Sequence, residues 1–128
     1  MVRAEHAVTL KKNGYNCCQS VMAAFAEETG LPDEMLRSIG AAFGGGMGGM
    51  EGPCGALCGA EMTLGMLQYQ GKPIHALARR VHASFLEKTG SQICREIKGI
   101  GTGKILCPCE DCIRNAVAAL EEALGEES

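Results

Sequence analysis

The chain has no tryptophan, only two tyrosines and three phenylalanines in 128 residues. It therefore lacks the aromatic platforms on which single-stranded nucleic acid stacks. It also lacks any run of lysine and arginine, and its formal charge of −3 gives no electrostatic footprint for a phosphate backbone. Nucleic acid is thus excluded as an expected partner. No apolar stretch approaches the roughly 18 uncharged residues that mark a transmembrane helix, so no membrane insertion is expected. The first ten residues carry Arg3, Glu5 and His6 in place of the apolar segment of a secretory signal, which predicts a cytoplasmic protein. No Ser/His/Asp set or carboxylate pair stands out, and β-type alternation is missing. The length fits one domain spanning 1–128.

What is present is helical periodicity. A short helix is expected over 3–12. In 17–29, Cys18, Val21, Met22 and Phe25 repeat with helical spacing, and Gly30 ends the run. Pro32-Asp33 opens a third helix with Leu36, Ile39 and Phe43 on one face. The segment 54–70 is apolar nearly all round, which predicts a central position, and Gly71-Lys72-Pro73 breaks it. Ile74, Leu77, Ala78, Val81 and Phe85 form a stripe over 74–88, with His75, Arg79 and His82 on a solvated edge. A short helix near 91–97 leads into the loop Lys98–Gly103, and a last helix over 111–124 buries Ile113, Ala116, Val117, Leu120 and Leu124. The expectation is an all-α fold: a compact bundle of about six to seven helices with a glycine-rich loop.

Against this background stand eight cysteines, at 17, 18, 54, 58, 94, 107, 109 and 112. Several fall where a helix begins. Asn16-Cys17-Cys18-Gln19 has the form of a capping box. Cys54 follows Pro53, a residue favoured at the first helical position. Cys94 lies three residues after Ser91, a candidate N-cap. Cys112 follows Asp111 before a periodic segment. Helix N-termini present unpaired N–H groups and partial positive charge, which favour thiolate over thiol. If these ends converge, they hold anionic sulfur, as a metal or iron–sulfur centre or a reactive dithiol. Cys107-Pro108-Cys109-Glu110-Asp111-Cys112 packs three thiols into six residues and contains a C-x-x-C. Position 113 is Ile113, not histidine, so a haem attachment pattern is absent and no haem is expected. In a cytoplasmic setting, clustered cysteines point to metal or redox chemistry rather than structural disulfides.

Gly44-x-Gly46-x-x-Gly49 matches the dinucleotide fingerprint in letters only, because no strand precedes it. The expected role of Gly44, Gly45, Gly46 and Gly48 is close backbone approach to a bulky centre, with N–H donors for sulfur. Cys58, one turn beyond Cys54, reads as a small buried hydrophobe. Cys54, in the first turn, is expected to be the more thiolate-like of the two. Seven methionines could serve soft metals, although core filling is the expected role of Met62 and Met66.

At Asn16-Cys17-x-Gln19-Ser20-Val21, Phe43-Gly44-Gly45-Gly46-Met47-Gly48, Cys54-Gly55-Ala56-x-x-Gly59-Ala60, Cys94-Arg95-Glu96 and Cys112, the chain resembles the C-GCAxxG-C-C family, described as redox-active. The match spans roughly 16 to 124, and the domain is also similar to the non-haem part of the split-Soret cytochromes. The resemblance implies four principal cysteines, carried here onto Cys17, Cys54, Cys94 and Cys112, as redox-active thiols or metal ligands. Cys107 and Cys109 are further candidate ligands, and Cys18 and Cys58 look like additions to the pattern.

The expected function is redox chemistry, as an oxidoreductase component or electron carrier. An iron–sulfur cluster on the four cysteines comes first. Thiol–disulfide exchange and a structural zinc remain alternatives. The expected partners are a redox protein and, as an open alternative, a second copy of the chain.

Overall fold

The computed structural model describes residues 2–125. Apolar periodicity produces six helices of eight or more residues: α1 (Val2–Lys12), α2 (Cys17–Ala24), α4 (Asp33–Gly40), α5 (Gly55–Gln68), α6 (His75–Thr89) and α8 (Cys109–Ala123). Two single-turn helices, α3 (Ala26–Thr29) and α7 (Cys94–Ile97), and one wide π-type turn (Gly46–Met50) complete them. Among the described residues the only extended pairing is an isolated antiparallel bridge between Pro53 and Ile93. The fold is all-α, as periodicity predicts.

The all-round apolar segment becomes α5, which packs against α2, α8 and α6. Small residues allow that closeness. A Cβ on Gly59 would fall 2.7 Å from the carbonyl oxygen of Cys18, so α2 and α5 meet backbone to backbone. Phe25, Leu64, Val81, Phe85, Ile113, Val117 and Leu120 fill the main core. A smaller cluster of Cys18, Met22 and Leu36 lies between α2, α4 and α5, with Phe43, Cys58 and Met62 packed on it.

Several expectations change. The run 17–29 is two helices, because the backbone leaves helical geometry at Phe25 (φ −108°, ψ 17°). That ring is fully buried, with the Arg3 guanidinium 4.4 Å from its centroid. Ile39 is 43 % exposed, not buried. α4 rests mainly on α2, and Leu36 and Gly40, four residues apart, complete its buried face. Met66 is exposed, whereas Met62 packs on the smaller cluster as expected. The last helix begins at Cys109 rather than near 111. Ser91 does not cap the helix at Cys94. Its hydroxyl accepts from Ile93 N–H and donates to Glu96, so α7 starts at Cys94 with Ile93 as N-cap.

Candidate functional site

Each cysteine of the candidate site is placed by a local rule. Asn16 caps α2: its side chain accepts from Gln19 N–H at 2.8 Å, and the Gln19 side chain accepts from Asn16 N–H at 2.8 Å. Cys17 is thereby the first residue of the helix. Cys94 is the first residue of α7 and Cys109 the first of α8. Two placements differ from the sequence reading. Pro53 is not the first helical residue of α5, because its pairing with Ile93 holds it extended, and Cys54 becomes the N-cap. Cys112 is the fourth residue of α8, and its N–H already donates to the Pro108 carbonyl at 3.0 Å.

The bridge does more than displace a helix start. Cys54 N–H donates to Gln92 at 2.7 Å and Cys94 N–H donates to Gly52 at 3.0 Å, so two cysteines forty residues apart are stitched side by side. Glycine then brings the remaining elements in. A Cβ on Gly46 would stand 2.5 Å from the Cys94 Cβ, and one on Gly55 would stand 2.5 Å from the Cys17 Sγ. The starts of α2, α5, α7 and α8 therefore converge on one small cavity of about 30 Å³.

Its walls are Cys17, Cys54, Cys94, Cys107, Cys109 and Cys112, with Gly45, Gly55, Ile97 and Lys98. All four principal cysteines and both further candidates are thus brought together; Cys18 and Cys58 are not. Of the four glycines expected there, Gly45 lines the cavity and Gly46 backs Cys94. Gly44 instead packs against Asn16, and Gly48 is exposed with nothing near its Cβ position. Close approach of glycine backbone to the site is therefore confined to Gly45 and Gly46. Lys98 was not singled out from the sequence. Its signal is weak: it lies four residues after Cys94, across a helix only four residues long.

All eight cysteines are free thiols. Cys17 carries the strongest thiolate character. The neighbouring Cys109 and Cys54 thiols, and after them the backbone N–H groups of Gly45 and Cys18, hold its pKa far below the ordinary thiol range despite burial. Cys112 is also lowered, by Cys54 first and Cys107 second. The Cys112 sulfur lies 3.7 Å from the Cys107 carbonyl oxygen, a contact that suits a neutral thiol and opposes a thiolate, so Cys112 is the weaker of the two anionic positions. Cys54 is raised because its proton is shared towards Cys112 and Cys17. Cys109 is raised by donating to Cys17. Burial pushes Cys107 up to about 12. Burial also raises Cys94, with Lys98 opposing it. Cys54, expected to be more thiolate-like than Cys58, is instead raised by its thiol neighbours. Burial raises Cys58 as well.

A sequence profile matches residues 15–123, that of the C_GCAxxG_C_C family, described as "putative redox-active protein". The chain belongs to the C_GCAxxG_C_C family. Searches of curated proteins and of solved structures each match nothing. The family pattern accounts for the cysteines at the converging helix starts. Gly55, next to Cys54, has no side chain, which is what lets Cys17 reach α5.

The donor set decides which inorganic group would suit the cavity. Every ligating side chain in its wall is a thiol, the preferred ligand of iron–sulfur centres and thiolate zinc. Lys98 and the Gly45 N–H would offset anionic charge. Among the described residues, no three His, Cys, Asp or Glu groups stand in a ready metal-ligating arrangement. The chemistry of the walls fits such a centre, but a space of about 30 Å³ holds about one water, so seating a cluster requires the walls to part.

Proposed function

We propose that this C_GCAxxG_C_C protein is an electron carrier in which Cys17, Cys54, Cys94 and Cys112 hold an iron–sulfur cluster. The single observation behind the reading is that six thiols, and no other ligating side chain, wall one cavity at converging helix starts. When bound, such a cluster supplies reversible one-electron chemistry. The chain's own residues do the rest. Cys17, the most anionic sulfur, is the first ligand to bind. The Gly45 N–H favours the anionic form of the Cys17 sulfur, and N–H groups facing cluster sulfur favour the more negative, reduced state. Lys98 adds positive charge at the wall, and Ile97 limits water.

A second reading draws on the mutual influence of neighbouring thiols in this wall, where Cys109 and Cys54 lower Cys17 while Cys112 and Cys17 raise Cys54. In thiol–disulfide exchange, the Cys17 thiolate attacks a partner disulfide and a second thiol, Cys54, resolves the mixed disulfide. Two cysteine thiols become one disulfide, and the partner's disulfide takes up the two electrons and two protons to become two thiols.

Anaerobic purification separates the readings. The cluster predicts visible sulfur-to-iron absorption, with iron and acid-labile sulfide that are lost in Cys17→Ser and Cys112→Ser and kept in Cys58→Ala. A colourless, metal-free protein that reversibly loses two thiols on oxidation overturns the cluster in favour of exchange. Stoichiometric zinc with no reversible oxidation overturns both.

A further inference from the structure

Cys18 and Cys58 lie outside the cavity, and the family pattern does not call on them. They are nonetheless arranged. Cys18 and Met22 are four residues apart on α2, and Cys58 and Met62 are four apart on α5. Residues at that spacing share a helix face. All four belong to the smaller apolar cluster between these helices. The Cys18 Sγ stands 3.8 Å from the Met22 Sδ. The helices touch at this level, where Gly59, next to Cys58, meets the Cys18 carbonyl. Cys58 itself packs against the cluster that Cys18 and Met22 form with Leu36.

Two further observations separate this cluster from ordinary core filling. The Glu61 Oε1, three residues after Cys58 on α5, is buried with no hydrogen-bond partner among the described residues. A surface groove walled by Met22, Met62 and Met66, with Ile39, Gly65 and Tyr69, gives a thioether-lined approach from solvent.

We propose that Cys18, Cys58, Met22 and Met62 form a second, soft-metal site that binds one Cu(I) ion. Two thiols with two thioethers are the donor class that selects monovalent copper, whereas harder divalent ions prefer oxygen and imidazole. The thiols lose their protons to water as the ion binds. Met66, exposed on the same groove, serves as an entry ligand. The site is independent of what occupies the six-thiol cavity.

The test is an anaerobic Cu(I) titration against bathocuproine disulfonate on wild type, Cys18→Ala/Cys58→Ala and Met22→Leu/Met62→Leu, with helicity checked by circular dichroism. Ions taken by the six-thiol cavity form a background common to all three proteins. The cysteine pair variant is expected to bind one Cu(I) fewer than wild type. The methionine variant, which conserves volume, should keep its fold and weaken that one ion at least about tenfold. Equal stoichiometry in the cysteine variant overturns the site. Unchanged affinity in the methionine variant overturns the four-sulfur arrangement. If the double cysteine variant does not fold, Cys58→Ala, at a half-buried position, carries the same expectation of one lost ion.

Discussion

Gly46 is buried against Cys94 with φ 63°, a conformation that a side chain resists, and a Cβ there would also meet the Cys94 Cβ at 2.5 Å. Its neighbour Gly45 has nearly the same φ, 65°, but open space around its Cβ position. The pair separates backbone strain from crowding. Gly45→Ala should cost about 1–2 kcal/mol, the left-handed penalty alone. Gly46→Ala should cost about 2–5 kcal/mol, since overpacking adds to that penalty. Urea denaturation of both variants measures the difference. Equal costs would mean that the Cys94 wall yields freely and that Gly46 does not set its position.

At the scale of elements, the start of α2 is held by one side chain doing three things. Asn16 caps the helix through its oxygen, and its Nδ2 donates to the Gly40 and Ala41 carbonyls at 3.1 and 3.2 Å, the open end of α4. The same residue therefore sets where Cys17 stands and where the glycine stretch departs. Asn16→Ala should lose about 2 kcal/mol, at the upper end for a cap because the ties to α4 go with it. Asn16→Asp keeps the capping oxygen and loses the Nδ2 donors, so about 1 kcal/mol is expected. In the alanine variant, mass-spectrometric alkylation of Cys17 should rise more than that of Cys58. Equal acceleration of both would show a general loosening rather than a local one.

Over the whole molecule, α1 closes the bundle through charge as well as apolar contact. Arg3 donates to Glu121 of α8 at 2.6 Å and pairs with Glu28 of α3, and its guanidinium lies over Phe25. The Glu121 side chain is only 8 % exposed, so Arg3 rather than solvent faces its carboxylate. Arg3→Met should cost about 3–5 kcal/mol by leaving that carboxylate uncompensated. Arg3→Met/Glu121→Leu should recover most of the loss, because the buried charge is removed with its partner. Thermal or urea unfolding of both variants checks this. A double variant no better than the single one would move the stabilisation from the Glu121 pair to the arginine's other contacts, Phe25 and Glu28 among them. The Arg114–Glu5 pair on the same face is exposed and should matter little.

Much of this was legible in the chain itself. Amphipathic spacing determines the helices, since each must hide one face, and the all-round apolar α5 could go nowhere but the centre. The Asn16–Gln19 box locates the start of α2 within one residue, because capping is a local exchange of hydrogen bonds. The cysteines at helix starts mark where sulfur would gather. Tertiary structure decided the rest. The pairing of Pro53 with Ile93 links segments forty residues apart, which no local pattern encodes, and it moves Cys54 from the first turn to the N-cap. The same convergence sets thiol against thiol, so Cys54 becomes a proton donor while Cys17 takes the charge. Proton sharing depends on which sulfurs touch, and that is a property of the assembled helices rather than of any one of them.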